Sequence, residues 1–434
     1  MINKITSSLF SKVIIVLSGI IVSGILSRFL NENDFGIYAM SLSVISFLSL
    51  AGASGLHLSI SKNYHLFKNK PKLHNYILIT YAFGFITLGF FFLLFEFFLK
   101  ENIGDILQSV NYIFIIGLIF SILRVSADYF RATNRIKLFL SFNTLSSGGG
   151  TFLWLLFLFQ IFLLSYLNCL SLENVYYSLI FSSLITLLAS FYFLKISFSN
   201  FYSKLFSIKN FIIDNKFFNF FKSSLSLMLI NILFQFSKFF PIWFLGFFFS
   251  PIEAGYFFAS TKICSVILIP LSVVDIVFPK DIAQSSEKNN FELQKLISKL
   301  SLIRFILSFV IFLFIYLFSS EIISLIFGND FIVIERIMKI LILFYLPQFI
   351  FGPSRQLLML TSASKILIMI DLFIVVTSII IYFLLLNILT LELFVLIFSI
   401  VSFLRYFIYF TASYFYVGVN TLPNLFLLFK IRND

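Results

Sequence analysis

Residues 224 to 241 read SLSLMLINILFQFSKFFP, and Lys238 is the only charged residue among them. Ser224, Asn231, Gln235 and Lys238 fall at spacings of seven, four and three, so a helix over this stretch carries all four on one face. An ammonium group deep in an apolar run is costly to hold there, and such a residue is a functional candidate by default. Arg405, Lys262 and Arg28 stand in similar surroundings. Together these side chains supply charge-assisted donors, Arg as a planar fork and Lys as a point charge, and the chemistry they suit is the binding of an anion. The plainer alternative is that the cations pair with acids, or that Arg28 and Lys262 anchor helix ends. Asp275, Asp371 and Glu96 are the acids inside apolar runs, candidates for coupling to a proton or a sodium ion. Interfacial solvation or pairing with a neighbouring cation is their competing reading. No GxxxxGK[ST] loop is present to use ATP, and no cofactor is expected.

The elements that must position these residues are set by composition. Of 434 residues, 60% are hydrophobic and only 12% charged, and mean hydropathy is +1.04. Soluble domains carry about 25% charged residues, so the chain reads as an all-α integral membrane protein. Runs long enough to cross a bilayer occur at about 11–30, 36–60, 76–98, 110–127, 138–166, 175–194, 223–249, 255–278, 301–319, 337–360, 366–387 and 391–416. The tenth is interrupted by Pro347 and Pro353, and Lys339 and Arg355 within it leave only a short uncharged core. With the N-terminus inside, 24 of the 31 basic residues fall on the cytoplasmic side, Lys12, Arg124, Arg304 and Arg355 among them, while Glu32, Asp34, Glu173, Glu253, Glu335 and Glu392 mark the opposite side. That alternation follows the positive-inside rule and places both termini in the cytoplasm. The net charge of +12 is therefore topology, and a nucleic-acid partner is excluded. The 65 Phe carry no functional weight, since an AT-rich genome would also supply them. Cys169 and Cys264 form no CxxC or metal-ligand pattern, and His57, His65 and His74 form no ligand cluster.

Two stretches echo each other. Asp34-Phe35-Gly36-Ile37-Tyr38-Ala39-Met40-Ser41 aligns with Glu253-Ala254-Gly255-Tyr256-Phe257-Phe258-Ala259-Ser260 at an offset of 219, and Thr133-Asn134-Arg135-Ile136-Lys137 aligns with Thr361-Ser362-Ala363-Ser364-Lys365 at an offset of 228. Offsets near half the length imply two parallel six-helix lobes: residues 1–200, a basic cytoplasmic linker at 201–222, and residues 223–434. Gly36 permits a tight entry into the second helix, with Asp34 near that helix's positive end. Pro241, Pro270, Pro347 and Gly148-Gly149-Gly150 are candidate helix breaks for a rocking motion.

Leu26-Ser27-Arg28-Phe29-Leu30-Asn31-Glu32-Asn33-Asp34-Phe35-Gly36-Ile37-Tyr38, with Tyr129-Phe130-Arg131-Ala132 and Arg135-Ile136-Lys137, resembles the bacterial polysaccharide flippases. These are the O-antigen and capsule repeat-unit exporters of the multidrug/oligosaccharidyl-lipid/polysaccharide superfamily. The resemblance implies a V-shaped, two-lobed, MATE-like transporter with a cationic central cavity. Its implied task is moving undecaprenyl-pyrophosphate-linked oligosaccharide to the outer leaflet of a bacterial inner membrane, in O-antigen, lipopolysaccharide or other surface polysaccharide biosynthesis. Lys238, Arg405, Lys262, Arg28, Asn231 and Gln235 would then meet pyrophosphate or sugar. Implied partners are the lipid-linked oligosaccharide, membrane lipids, a polysaccharide polymerase and a chain-length regulator. A drug or cation antiporter of the same superfamily is disfavoured, because the deep charges are mostly basic. A membrane polysaccharide polymerase would carry a large external loop, and no HExxH, DxD or nucleophile elbow is present; no catalytic residue is expected. A peptidoglycan-precursor flippase usually has more than twelve helices.

Overall fold

The computed structural model describes residues 2–55, 60, 82–94, 96–97, 110–133, 135–143, 150–197, 215–278, 281–282, 285–286, 290–361 and 363–423. Helices form wherever a long apolar run can satisfy its own backbone, the condition a lipid environment imposes. In chain order they are α1 (Ile2–Phe29), α2 (Glu32–Gly52), α3 (Ala82–Leu94), α4 (Val110–Ala132), α5 (Ile136–Phe142), α6 (Thr151–Tyr166), α7 (Leu172–Ser197) and α8 (Asn215–Phe248). There follow α9 (Pro251–Cys264), α10 (Ile269–Val277), α11 (Asn290–Leu317), α12 (Ser319–Phe327), α13 (Glu335–Ile350), α14 (Ser354–Leu360), α15 (Ser364–Leu384) and α16 (Leu391–Val417).

Nine segments among the described residues are long and apolar enough to cross a membrane. Of the twelve expected spans, the third is described only in part, and the fifth and tenth are interrupted. The third is described only as the short helix α3. The fifth is divided between α5 and α6, and of its three glycines only Gly150 is described, as the N-cap of α6. The tenth is divided into α13 and α14 by the Phe351–Pro353 turn, where Gly352 takes φ +61°, a left-handed conformation that favours glycine. Pro347 is accommodated inside α13, and Pro241 lies inside α8, which runs on through it. Pro270 follows a 3₁₀ segment, Ser265–Leu268, that divides α9 from α10. Ser308 of α11 donates to the Ile267 carbonyl at 3.0 Å, giving that break an outside partner.

Contacts divide the chain into two compact units, Leu17–Gly255, and Tyr256–Asp434 with Met1–Val16. In the Leu17–Gly255 unit, α2 is the central element. Asn31 caps it by accepting from the Asp34 N–H at 2.7 Å, and every residue from Phe35 to Gly52 is buried. It packs on α4 and α8, and α4 packs on α7. The α8 contact groups that helix with the first six expected spans, whereas the expected lobe boundary after residue 222 rests on the repeat and the linker. Residues 201–214 of the linker lie outside the described residues. A short polar seam joins these helices: Trp243 Nε1 donates to Ser43 Oγ at 2.6 Å, and Ser224 Oγ to the Ser54 carbonyl at 2.9 Å.

Both copies of the acid-x-Gly motif meet in this unit. A Cβ built on Gly36 would lie 1.8 Å from the Pro251 carbonyl oxygen, and one on Gly255 would lie 3.2 Å from the Gly36 Cα. Gly36 lies inside α2, after the Asn31 cap, so it does not form the tight entry expected of it; the two glycines instead allow the starts of α2 and α9 to touch backbone to backbone.

In the Tyr256–Asp434 unit, α16 is the hub, packing on α13, α14 and α15. Thr390 caps its start, accepting from the Leu393 N–H at 3.3 Å, and Gly418 ends it at φ +72°. A cluster of Val274, Phe278, Leu293, Ile297, Leu357 and Val419 fastens α10, α11 and α14.

Candidate functional site

Each unit carries its own set of polar residues. In the Leu17–Gly255 unit, Lys238 on α8 is half-buried with its ammonium 4.5 Å from the centroid of the Phe234 ring. Gln235 is buried, and its Oε1 has no hydrogen-bond partner among the described residues. Asn231 donates to the Leu227 carbonyl of its own helix at 3.0 Å, while Arg28 is exposed near the end of α1. Glu96, just beyond α3, is half-buried. Helical spacing predicted the shared face of Asn231, Gln235 and Lys238, but the cation–π contact needed Phe234 as well, one turn before Lys238.

The Tyr256–Asp434 unit holds a denser arrangement. Arg405 Nε lies 3.9 Å from Asp371 Oδ1, and Tyr409 Oη donates to the same oxygen. These three groups are buried, Asp371 completely. Arg304 on α11, 4% exposed, places Nη1 3.6 Å from Asp275 Oδ1 at the end of α10. Gln356 on α14 donates to the Asp275 carbonyl at 3.2 Å. Lys12, 5% exposed, interacts electrostatically with Asp275, and Tyr406 with Arg355, Arg405, Asp371 and Asp275. The structure thus assembles four cations (Lys12, Arg304, Arg355, Arg405) and two carboxylates (Asp275, Asp371) in one unit. Lys262 stands apart in character, with its ammonium 4.7 Å from the centroid of the Phe258 ring one turn earlier on α9.

Sequence reasoning selected Arg405 and the two aspartates but counted Lys12, Arg304 and Arg355 among cytoplasmic charges. Lys12 and Arg304 are buried within the protein. Position near the edge of an apolar run hid them, although a carboxylate such as Asp275 in a run is a signal that a partner cation is needed nearby. The same oversight applies to Arg124 on α4, which is 1% exposed and donates from Nε to Ser49 Oγ at 3.0 Å.

Buried charges demand partners, since the low-dielectric interior penalises an isolated ion by several kcal/mol. Among the described residues of this group the cations outnumber the carboxylates four to two; Lys12, Arg304, Arg405 and Asp371 are buried, Arg355 is half-buried and the Asp275 side chain is 48% exposed. The chemistry available to such a surplus is the binding of an anion. Among the described residues no group of three or more His, Cys, Asp and Glu could hold a metal ion.

Residues 1–279 match the model of a family described as polysaccharide biosynthesis protein. The chain belongs to that family. Its motif-based resemblance to polysaccharide flippases and its all-helical architecture agree with this membership. A comparison with curated proteins gives no significant match. Among solved structures, the chain is similar to a multidrug resistance MATE family transporter of the MOP superfamily in its inward-facing conformation. That likeness has TM-score 0.71 at 13% identity, with 95% of this chain and 98% of the other covered. An outward-facing MATE structure gives TM-score 0.68 at 13% identity, covering 96% and 95%. A MOP superfamily transporter from Pyrococcus furiosus, described as having a binding pocket of reverse polarity that suggests a different function, gives 0.63 at 13% identity, covering 95% and 96%. At such identity the likeness concerns the fold, which is MATE-like. The described apolar spans and the MATE-like fold are those of a multi-pass membrane protein.

Proposed function

We propose that this polysaccharide biosynthesis family member is a flippase for undecaprenyl-pyrophosphate-linked oligosaccharide repeat units. It moves them by alternating access from the cytoplasmic to the outer leaflet of a bacterial inner membrane, with both of its own termini in the cytoplasm, for O-antigen or another surface polysaccharide. The observation that carries this reading is the gathering of cations around the buried Arg304 and Arg405, with the half-buried Arg355 beside them, which suits the phosphate charges of a pyrophosphate. Within the Tyr256–Asp434 unit Lys262 is a further candidate donor, and within the Leu17–Gly255 unit Lys238 and Arg28 are candidate donors to phosphate, with the Asn231 and Gln235 amides suited to sugar hydroxyls. Polymerase and chain-length regulator are the expected partners downstream.

Asp275 and Asp371 each face an arginine, which favours a role in holding those arginines. Coupling to a proton or sodium ion through them, or through Glu96, is the competing role. A strain lacking the gene should accumulate lipid-linked repeat units on the cytoplasmic leaflet. Complementation with Lys238→Ala or Arg304→Gln, at normal protein level, should fail to restore export. Normal surface display in the deletion strain rejects the proposal.

The second reading, a multidrug antiporter, is favoured by the solved MATE structures of similar fold. It predicts that a cationic dye is extruded and that Lys238→Ala leaves extrusion intact. The neighbour with reversed pocket polarity is a precedent for this fold carrying a pocket of the other sign.

A further inference from the structure

Residues 418–422, just past α16, tie the chain back to two other elements of the Tyr256–Asp434 unit. Gly418 turns the backbone at φ +72°, and Val419, fully buried, joins the cluster of Leu293, Ile297 and Leu357. Asn420 gives both of its backbone groups to one side chain. Its N–H donates to Gln294 Oε1 at 2.7 Å, and its carbonyl accepts from Gln294 Nε2 at 2.8 Å. Asn420 Oδ1 accepts from the Leu422 N–H at 2.9 Å, which closes a turn around Thr421. Thr421, fully buried, donates from Oγ1 to the Phe351 carbonyl at 2.8 Å.

That carbonyl is among those that the break between α13 and α14 leaves without a helical donor. A Cβ on Gly352 would collide with the Thr421 carbonyl oxygen, so the turn and the tail also meet backbone to backbone. The helix that follows, α14, has seven residues, too few for its own hydrogen bonds to fix its position. It nevertheless carries Arg355, which interacts electrostatically with Tyr406, and Gln356, which donates to the Asp275 carbonyl at 3.2 Å. The other anchor of the tail leads to the same cluster. Gln294, Ser298, Ser301, Arg304 and Ser308 follow one another at spacings of four, three, three and four, which places them on one face of α11. The tail therefore docks at the start of the face that presents Arg304 to Asp275.

We propose that residues 418–422 form a strap that sets the placement of α14, which makes Thr421 and Gln294 positioning residues for Arg355 and Gln356. Thr421 fixes the turn from which α14 starts, and Gln294 fixes Thr421 by holding its neighbour Asn420. The hold on α14 stands on this geometry alone. Its bearing on transport rests on the proposed function, in which the cations around Arg304 meet a pyrophosphate.

The test combines amide hydrogen exchange of the full chain in nanodiscs with titration of inorganic pyrophosphate. Thr421→Val, which keeps the shape and loses the hydroxyl, should raise exchange across the α14 amides by about tenfold and leave α16 unchanged. Thr421→Ser, which keeps the hydroxyl, should restore the wild-type pattern. Gln294→Met should reproduce the effect of Thr421→Val, so the test survives one variant that fails to fold. Both loosened variants should bind pyrophosphate more weakly, by about fivefold in Kd, while Thr421→Ser binds as the wild type does. Unchanged exchange, or a rise confined to residues 351–354, marks a local cap and overturns the strap. A rise across α14 with unchanged pyrophosphate affinity overturns the positioning role. If the wild-type chain does not bind pyrophosphate, the proposed function fails instead, and exchange across α14 alone upholds or overturns the strap.

Discussion

Gly36→Ala tests whether the repeated motif is a backbone crossing. The added methyl would stand 1.8 Å from the Pro251 carbonyl oxygen and 2.3 Å from its carbon. Both are backbone atoms, so no rotamer change relieves the overlap. The starts of α2 and α9 must part by on the order of 1.5 Å before the methyl reaches van der Waals distance. Overpacking in a filled interior costs about 1–3 kcal/mol, and occasionally more; an unyielding backbone places this case at the upper end. Opposing it is the helix propensity of alanine over glycine, about 1 kcal/mol. The net expectation is a loss of about 2 kcal/mol or more, read as a lowered midpoint in thermal unfolding of the full chain in detergent. Gly89→Ala is the matched control, because a Cβ there meets nothing within 4 Å. It should be neutral or slightly stabilising. Gly255→Ala, with nearest contacts of 3.2 Å, needs shifts of only a few tenths of an ångström and should fall between the two. If Gly36→Ala unfolds at the same temperature as Gly89→Ala, the crossing is not the reason for the repeated glycine.

Removing one partner of a buried ion pair leaves the other uncompensated, so Asp371→Asn should cost about 3–5 kcal/mol in the same unfolding assay. Adding Arg405→Gln to it should cost less than the sum of the two single changes, the mark of direct coupling. Asn31→Ala removes the cap on Asp34 N–H at the start of α2 and should destabilise by about 0.5–2 kcal/mol, measurable as a shift in the unfolding midpoint. Glu335 is held below the usual carboxylate range by hydrogen bonds from Lys339 and Ser319. Its contribution to stability is therefore present above the unfolded-state value and lost as pH falls through the depressed folded-state value. Glu335→Gln should remove that part of the acid dependence of unfolding, and an unchanged acid limb would show that the pairing is absent in solution.

Much of the fold is legible along the chain because a lipid solvent imposes a one-dimensional rule: an apolar run of sufficient length must satisfy its own backbone as a helix. Asn31 before Glu32-Asn33-Asp34 announces the start of α2, and Gly418 the end of α16, since both depend on local backbone geometry. The tenth run shows the limit of that rule. Pro347 and Pro353 both signalled interruption, yet the helix closes over the first and breaks beside the second, where Gly352 turns against the Thr421 carbonyl. A neighbour 69 residues away in the sequence settles that choice.

The candidate site divides along the same line. Lys238 was visible because a charge surrounded by Phe, Leu and Ile is anomalous wherever the helix lies. Arg304 and Lys12 were not, because each sits near the edge of its run, where cytoplasmic exposure and burial in protein give the same hydropathy. By itself the sequence determined the helical class, the repeated Asp34-x-Gly36 and Glu253-x-Gly255 signature, and which residues are anomalous in an apolar setting. Only the tertiary structure decided that Gly36 meets Pro251, that Asp371 faces Arg405 and Tyr409, and that Arg304 joins Asp275. Hydropathy reports the cost of moving a side chain out of water, whereas pairing depends on which helices pack together, and that is fixed by contacts between residues far apart in the chain.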